Sequence, residues 1–431
     1  MSSMVDFEDI ETGKITVCVV GLGYVGLPSA IAFHSKGFSV RGVDTSEKKI
    51  SMIKEGVNPL IDVISSEKVP QEGGRWKVSS EIDSMIEGAD IAMIAVPTPV
   101  DDLGGPDLSF LEKAIISTMS SKNRKKGLAI VVESTVYPGA TRSIIEKTAK
   151  SLNLKENVDF FVAYCPERVN PGDPEHTVSK VPRILGCDDA ELGLALSNIY
   201  SKITEGGCSY VGRIEVAEAA KLIENVQRDA DIALVNELAV VLPMIGLDVE
   251  EVLEAAGSKW NFHRHTPGIG VGGHCIPVDP HYYISLASEL GVKQTISSMA
   301  RRTNEMMPEY VCEQLCRVSE NGSVSGKTIL IIGFSYKPGL GDIRNTPAIP
   351  LMKGLAAMGA KVIIWDPHVE SASLEFADNF VDNVYSVSFD IAILATAHNE
   401  CLEIDWSKLR KSSSTGIFYD GRRSLEKSRM Q

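Results

Sequence analysis

Ile15-Thr-Val-Cys-Val-Val-Gly-Leu-Gly-Tyr-Val-Gly26 decides how the first part of this chain folds. The run up to the first glycine is apolar or β-branched, which predicts a buried strand. Gly21, Gly23 and Gly26 then form a G-x-G-x-x-G pattern, and helical spacing of apolar residues follows as far as Phe33. Such a strand, glycine turn and helix let a pyrophosphate sit against the helix N-terminus.

A second predicted strand, Ser39–Val43, ends at Asp44, about twenty residues beyond the glycines. An acid at this position binds the ribose hydroxyls of a dinucleotide and repels a 2′-phosphate, so we expect NAD rather than NADP. The residues of this segment expected to contact the cofactor are Gly21, Gly23, Tyr24, Val25, Gly26 and Asp44.

Polar clusters follow three further predicted strands. Pro97 and Thr98 follow the run Ala89–Val96, Thr135 follows Leu128–Val132, and Glu167 and Arg168 follow Phe160–Ala163. Ligands of open parallel sheets bind at the carboxyl ends of the strands. We therefore expect these side chains to lie at one edge of the sheet, with a turn or surface role as the alternative for each.

A long helix is predicted from Ile214 to about Leu242, and it continues from Gly246 to Ala256. Lys221 and Asn225 are four residues apart and so lie on one face of it. An alanine-lined face that carries such donors suits an oxyanion, whereas a solvated surface lysine is the plainer alternative.

The segment Gly272-Gly-His-Cys-Ile-Pro-Val-Asp-Pro280 places a cysteine in a glycine-rich turn. Gly272 and Gly273 have no side chains, so we expect them to admit a substrate and to leave the thiol of Cys275 uncovered. An ionised thiol is a strong nucleophile, and Asp279 adds a carboxylate four residues later. The alternative is that Cys275 is a small buried hydrophobic residue.

Several histidines lie close to this cysteine. They are His263, His265, His274 and His281. Their spacing matches no usual zinc pattern, so we expect no metal site.

A second α/β unit follows the linker Gly322–Gly326. Its predicted strands are Thr328–Ile332, Lys361–Trp365 and Asp390–Ala395, with a helix at Leu351–Met358. Gly333-Phe-Ser-Tyr-Lys337 stands where the first unit has its glycine pattern, so this unit is expected to bind something other than NAD. Lys337 and Arg344 supply positive charge for an anionic ligand, unless they belong to an ordinary surface loop.

Composition limits the possible functions. A chain of 431 residues is too long for one compact core. The net charge of −14 argues against a nucleic-acid or anionic-membrane partner, and no apolar run is long enough to span a bilayer. Met1–Gly13 is acidic and polar, which predicts no signal peptide, and eight unevenly spaced cysteines fit a reducing, cytoplasmic location.

Together, the motifs resemble those of the UDP-glucose/GDP-mannose dehydrogenase family, from Ile15 to about Arg423. The matching segments are Gly21–Pro28, Val96–Pro99, Ser134–Val136, Pro166–Arg168, Glu218–Asn225, Gly272–Cys275 and Lys337–Arg344. The resemblance implies an α/β fold with two Rossmann-like doubly wound domains, joined by a long central helix and a helical dimerisation region. It implies an NAD-binding domain over 1–212, a central helical domain with the catalytic cysteine over 213–320 and a nucleotide-sugar (UDP) binding domain over 321–431.

The resemblance also implies an activity, the NAD-dependent oxidation of the C6 hydroxyl of a nucleotide sugar to the uronic acid in two steps. Cys275 would hold the half-oxidised sugar as a thiohemiacetal and then as a thioester. Matching positions make Lys221 and Asn225 oxyanion stabilisers, Asp279 an acid/base with an ordered water, Glu167 the group that activates water, and Thr135 the residue that positions it.

Substrate contacts implied by the same resemblance are Glu167, Arg168, Lys221, Asn225, Gly272, Gly273, Lys337 and Arg264, and Arg344 would lie near the diphosphate or the cofactor. Arg168 stands where the UDP-glucose branch usually has a Leu-type residue, so it is a candidate for contacting an acetamido group. The surrounding motifs resemble the branch that acts on UDP-N-acetylhexosamines, with the gluco, galacto and manno sugars left open. Family members are commonly dimers, so a homodimer or higher homo-oligomer is expected, with Lys259 or Arg264 acting across it.

Other functions compete with this interpretation. A UDP-glucose or GDP-mannose 6-dehydrogenase would share the same motifs. A β-hydroxyacid dehydrogenase of the 6-phosphogluconate type would not need Cys275 or the second α/β unit. An NAD-retaining epimerase would ordinarily have a Tyr-x-x-x-Lys pair, which the sequence lacks, and an inactive NAD-binding sensor or scaffold would not need Lys221 or Asp279.

Overall fold

A computed structural model describes residues 12–60, 68–101, 104–169, 173 and 175–425. The chain divides into two compact units, Met1–Glu224 and Asn225–Gln431. Two sequence expectations fall partly outside the described residues: the first eleven residues of Met1–Gly13, and residues 170–172 of the polar cluster after the strand at Phe160.

The first unit is built on a six-stranded parallel sheet. Its strands are β1 (Thr16–Val20), β2 (Ser39–Val43), β3 (Trp76–Ser79), β4 (Ile91–Ile94), β5 (Leu128–Val132) and β6 (Phe160–Tyr164), in the order β3-β2-β1-β4-β5-β6. Every residue of β4 and β5 is buried, which is why these strands are continuous apolar runs. The strand order reverses between β1 and β4, and ligands of such sheets bind in the crevice outside the strand ends at that point.

Helices and a small second sheet complete this unit. They are α1 (Gly26–Ser35), α2 (Glu47–Lys54), α3 (Ile82–Ile86), α4 (Ser109–Ser120), α5 (Ala140–Leu152) and α6 (Ala190–Ser201), with β7 (Arg183–Leu185) paired in parallel to β8 (Cys208–Tyr210). The long helix α7 (Ile214–Val241) begins here, close to its predicted bounds, and contains residues of both units.

The second unit contains helices and a four-stranded parallel sheet. The helices are α8 (Val249–Gly257), α9 (Asp279–Glu289), α10 (Ile296–Val318), α11 (Ala348–Ala357), α12 (Asn399–Leu402) and α13 (Trp406–Arg410). The strands are β9 (Thr328–Ile332), β10 (Lys361–Trp365), β11 (Phe389–Leu394) and β12 (Ser413–Asp420), in the order β10-β9-β11-β12.

These two parallel sheets confirm the predicted α/β class with two Rossmann-like units. Strands β2, β9 and β10 begin and end where the sequence predicted, and each is followed directly by a glycine or an acid. The division into three domains stays a prediction. Among the described residues, no helix is both long enough and apolar enough to cross a bilayer.

Candidate active site

The turn between β1 and α1 has the form that a dinucleotide needs. Gly21 has φ +95°, and a Cβ there would lie 2.4 Å from the carbonyl oxygen of Ala95. A Cβ on Gly26 would lie 1.8 Å from the carbonyl oxygen of Gly21, so both positions require glycine for backbone packing. Around Gly23, by contrast, no atom lies within 4 Å of the Cβ position, which leaves open space beside the helix N-terminus for a pyrophosphate.

Asp44 is fixed beside this turn at the carboxyl end of β2. Its Oδ2 accepts a hydrogen bond from the Leu22 backbone N–H at 3.0 Å and lies 3.2 Å from Lys49 Nζ. Its Oδ1 accepts one from the Ser46 N–H at 2.9 Å. The glycine turn and the acid expected to bind ribose are therefore held together as one surface, which fits NAD.

Ser134 joins the ends of β4 and β5. Its hydroxyl accepts a hydrogen bond from the Val96 N–H at 3.0 Å and donates one to the Val96 carbonyl oxygen at 2.7 Å. Thr98 and Thr135, each partly buried, follow these two adjacent strand ends. From the sequence, Ser134 is visible only as part of a motif, and the structure gives it the role of aligning the two segments.

Glu167 follows β6 and is partly exposed. Burial raises the pKa of its carboxyl to about 7, against the lowering effects of the positive charges of Lys221 and then Arg183. Lys221 on α7 is itself only 8% exposed. A carboxyl that titrates near neutral pH beside a buried cation is suited to exchanging protons with water.

Glu218, one turn before Lys221 on α7, is a buried residue that the sequence analysis did not single out. Its Oε2 accepts a hydrogen bond from the Gly139 N–H at 2.6 Å, and its Oε1 accepts one from the Thr141 N–H at 3.1 Å. It therefore caps the N-terminus of α5 and fixes the segment that begins with Thr135.

In the second unit, Cys275 lies in a tight turn that leads directly into α9. Its carbonyl oxygen accepts hydrogen bonds from the N–H groups of Val278, at 3.0 Å, and Asp279, at 2.8 Å. Asn225 Nδ2 donates to Asp279 Oδ2 at 2.6 Å, and both side chains are buried. The carboxylate and the amide of the prediction are thus paired in this unit, and the partly exposed Cys275 lies in the turn directly before the carboxylate.

The sequence predicted that the glycines before Cys275 leave space for a substrate. In the structure, other residues of the second unit pack against them. A Cβ on Gly272 would lie 2.6 Å from Tyr336 Cβ and 3.0 Å from the Asn345 carbonyl oxygen, and one on Gly273 would lie 2.9 Å from the Tyr336 ring. The Gly273 N–H also donates to the Arg344 carbonyl oxygen at 3.1 Å, and Asn345 Nδ2 donates to the Gly273 carbonyl oxygen at 3.0 Å. The side-chain space beside both glycines is filled by the segment after β9, so a direct substrate contact of theirs stays a prediction.

Substituting Gly273 with alanine is expected to displace the cysteine turn. The residue has φ +95°, and the added methyl group would meet the Tyr336 ring, so we expect a loss of about 1–3 kcal/mol in the free energy of unfolding. Thermal denaturation measures the loss. Gly291→Ala is the control for backbone strain, because Gly291 also has positive φ but has no atom within 4 Å of its Cβ position. Equal destabilisation by both variants would contradict the packing role.

Lys337 and Arg344 lie in the same segment after β9. Lys337 is partly buried, and its carbonyl oxygen accepts a hydrogen bond from the Ser335 hydroxyl at 3.0 Å. Arg344 forms an ion pair with Asp342, two residues earlier. Its Nε donates to Asp342 Oδ2 at 2.9 Å, and its Nη2 donates to the same oxygen at 2.5 Å. Lys337 and Arg344 thus lie in one segment of this unit, and their contact with an anionic ligand stays a prediction.

One group of side chains in the described part of the chain has the composition of a metal site: His368, His398 and Glu400, with ligand atoms within 4.8 Å of one another. His398 Nδ1, however, accepts a hydrogen bond from the Gly339 N–H at 3.0 Å, so the ring proton is on Nε2. That nitrogen lies 3.1 Å from Asp366 Oδ2 and donates to it. Neither nitrogen of His398 therefore has a lone pair available to a metal ion, and His398 and Asp366 together stabilise the turn after β9.

Three titratable residues near the cysteine segment have acidic partners within the second unit. Arg264 forms an ion pair with Glu250 of α8, and His265 and His281 lie 3.6 Å from Asp231 and Glu305, respectively. Arg422, after β12, was not singled out from the sequence. Its Nη1 lies 2.6 Å from the Cβ position of Gly268, which adds a cation beside the segment that precedes Cys275.

Comparison with known proteins agrees with the fold. The P. aeruginosa UDP-N-acetyl-D-glucosamine 6-dehydrogenase is 37% identical over 412 residues, covering 94% of this chain and 96% of that protein. The structure of the UDP-D-ManNAc dehydrogenase from Pyrococcus horikoshii matches with a TM-score of 0.87 and 32% identity over 96% of both chains. The structure of an NDP-N-acetyl-D-galactosaminuronic acid dehydrogenase from Methanosarcina mazei matches with a TM-score of 0.79 and 25% identity, over 96% of this chain and 93% of that one.

Family comparison covers nearly the whole chain. Residues 15–204 match the NAD binding domain of the UDP-glucose/GDP-mannose dehydrogenase family, 215–306 match its central domain, and 330–427 match its UDP binding domain. The expected family and NAD cofactor are thereby confirmed. The chain belongs to the UDP-glucose/GDP-mannose dehydrogenase family and is an oxidoreductase with an NAD-binding domain.

Proposed function

We propose that this protein oxidises the C6 hydroxyl of a UDP-N-acetylhexosamine to the uronic acid in two NAD-dependent steps, through a thioester on Cys275. The observation that carries the proposal is the cysteine turn, in which the partly exposed Cys275 lies directly before the buried, hydrogen-bonded pair of Asp279 and Asn225. A simple alcohol dehydrogenase needs no nucleophile, whereas a four-electron oxidation needs to retain the aldehyde between its two halves.

The proposed reaction consists of an oxidation, a thiol addition, a second oxidation and a hydrolysis. NAD, when bound, accepts one hydride in each of the two oxidations. The C6 alcohol first loses a hydride and its hydroxyl proton to give the aldehyde. The thiol of Cys275 adds to the aldehyde carbon, forming a C–S bond and a hydroxyl group. Loss of a second hydride and of that hydroxyl proton leaves the thioester, which water cleaves to the uronate and the free thiol.

Protein groups of the right type are present for each proton and charge. Lys221 and Asn225 stabilise the oxyanions that form at C6, and Asp279 exchanges protons through an ordered water. Glu167 removes a proton from the water that attacks the thioester, and Thr135 positions that water. The raised pKa of Glu167, about 7, supports its role as a base near neutral pH.

We expect thioester hydrolysis to depend on pH through Glu167. Only the carboxylate is a base, so the rate should rise as pH increases through about 7, the pKa of this group, and level off above it. Glu167→Gln should lower the hydrolysis rate by about 10²–10⁴-fold and remove this rising limb of the pH–rate profile. The measurement is the rate of acid release, after a single turnover, from about pH 5.5 to 8.5. An unchanged limb in Glu167→Gln would assign the base to another residue.

The proposed substrate class rests on the relatives and on charge. The P. aeruginosa relative acts on UDP-N-acetyl-D-glucosamine by name, and the P. horikoshii structure is named for UDP-D-ManNAc. Lys337 and Arg344 lie in the segment after β9, which is hydrogen-bonded to Gly273, and there they would supply cations to a nucleotide diphosphate. Arg168 is the candidate for contacting the acetamido group of the sugar.

The test of this proposal is the number of NADH molecules formed per sugar consumed, with UDP-N-acetyl-glucosamine, -galactosamine and -mannosamine compared with UDP-glucose and GDP-mannose. Two NADH per UDP-N-acetylhexosamine is the expected result. One NADH would indicate a simple alcohol dehydrogenase, turnover of UDP-glucose or GDP-mannose alone would move the substrate to that branch, and none with any sugar would indicate a sensor or scaffold.

We also propose that the chain assembles as a homodimer or higher homo-oligomer and works in a reducing, cytoplasmic compartment. Met244 and Ile245, just after α7, are 78% and 68% exposed, which favours burial against another surface. Arg264 would then reach a partner's sugar site. The eight cysteines, all within the described residues, are thiols rather than disulfides, as a reducing compartment would keep them. Light scattering of the purified protein tests the assembly.

A further inference from the structure

Arg168 is held by three hydrogen bonds within the first unit. Its Nε donates to Glu224 Oε2 at 3.0 Å, its Nη2 lies 2.5 Å from Glu224 Oε1, and its Nη1 donates to the Pro182 carbonyl oxygen at 3.1 Å. This is a two-point ion pair with an added backbone contact, a geometry that fixes the plane of the guanidinium group. Most of its donors are therefore directed at the protein.

The ion pair connects two segments that carry proposed catalytic groups. Arg168 directly follows Glu167 after β6, and Glu224 lies three residues after Lys221 on α7. The side chains of Arg168 and Glu224 are 25% and 37% exposed, and an ion pair this exposed contributes little to folding stability. The main physical consequence of the ion pair is that it fixes the position of the segment after β6.

We propose that Arg168 is a positioning residue, whose ion pair with Glu224 holds the Glu167 carboxyl against the Lys221 turn of α7. The inference rests on the proposed function, because it assigns Glu167 its place in the hydrolysis step. It also gives a reason for an arginine beside the sugar site that does not depend on direct contact with an acetamido group.

Three charged groups act on the Glu167 carboxyl from neighbouring elements. Lys221 acts from α7, Arg183 from β7, and Glu133 from the end of β5. Burial is the largest influence, and it raises the pKa of Glu167 to about 7. Without the ion pair, the segment after β6 would open to water, and that pKa would fall toward its ordinary value near 4.5.

The experiment compares Arg168→Gln, Glu224→Gln and the double variant in the full chain, using the pH dependence of acid release after a single turnover. We expect each single variant to lower the rate at neutral pH by about tenfold and to move the limb near pH 7 to lower pH. The double variant should be no slower than either single variant, because both changes remove one interaction. Arg168→Lys, which keeps one charged contact, should recover part of the rate.

The matched control is Glu215→Gln. Glu215 also lies on α7, and its Oε1 accepts a hydrogen bond from Arg142 Nε at 2.7 Å in a similarly exposed ion pair. We expect this variant to keep the wild-type rate and pH limb. A rate loss in the Glu224 and Arg168 variants without any shift of the limb, or with additive losses in the double variant, would overturn the positioning role.

This outcome can be separated from failure of the proposed function itself. If wild-type protein forms no uronic acid from any nucleotide sugar, the proposed function fails before the variants are compared. If wild-type protein forms two NADH per sugar while Arg168→Gln and Glu224→Gln behave like Glu215→Gln, the proposed function stands and the ion pair has no positioning role.

Discussion

Replacing Cys275 with serine is expected to stop uronic acid formation while leaving NAD affinity almost unchanged. A serine hydroxyl does not ionise near neutral pH, so the aldehyde would have no covalent anchor, and acid formation should fall on the order of 10⁴-fold. NAD affinity should be unchanged because the glycine turn and Asp44 belong to the first unit, whereas Cys275 belongs to the second. Acid formation is measured by chromatography of the sugar products, and NAD affinity by calorimetry.

The control for this variant is Cys316→Ser. Cys316 is also a partly buried free thiol of the second unit, but it lies on α10, with its Sγ 3.9 Å from Met358 Sδ. It should keep full activity. Equal loss of activity and of NAD affinity in Cys275→Ser would show instead that this cysteine is structural.

Replacing Asp279 with asparagine is expected to have the second largest effect, a loss of about 10²–10⁴-fold in turnover. The substitution keeps the shape of the side chain but removes the negative charge that accepts the hydrogen bond from Asn225 Nδ2 at 2.6 Å. Loss of proton exchange should slow both oxidations, so NADH formation and acid release should fall together. Stopped-flow absorbance of NADH measures the first, and product analysis the second.

Asp279 also begins α9, so part of the effect of its replacement could come from stability. Asp248→Asn is the matched control, because Asp248 caps α8 through a 2.9 Å hydrogen bond from the Glu250 N–H to its Oδ1. Both variants should lose a similar small amount of thermal stability, and only Asp279→Asn should lose turnover. A comparable loss of turnover in both variants would contradict the acid/base role of Asp279.

The sequence predicted the sheets well because short, continuous apolar runs have few other uses. β5 and β9 are such runs, and both were placed at their observed bounds. The edge strands β3 and β12 and the short strands of the β7–β8 pair have no comparable pattern and were not predicted. Helix α10 was not predicted either, and it contains Pro308, a residue that usually interrupts a helix.

The types of the proposed site residues could be predicted from the sequence, but their partners could not. Nothing in the local pattern shows that Asn225 donates to Asp279 or that Arg168 pairs with Glu224, because each pair is more than fifty residues apart in the chain. The glycines before Cys275 illustrate the same limit. Their permissive backbone was visible in the sequence, whereas Tyr336, which packs on them, could be found only in the folded chain.

The most direct test of the account is to trap the sugar on the enzyme. Glu167→Gln, mixed with an excess of NAD and a UDP-N-acetylhexosamine and then quenched with acid, should carry a covalent adduct on the peptide that contains Cys275, detected by mass spectrometry. The adduct should have the mass of the acylated thiol and should appear with two NADH per enzyme. Formation of two NADH and free uronic acid, in wild-type protein and in the variant, with no modified Cys275 at any quench time would contradict the account.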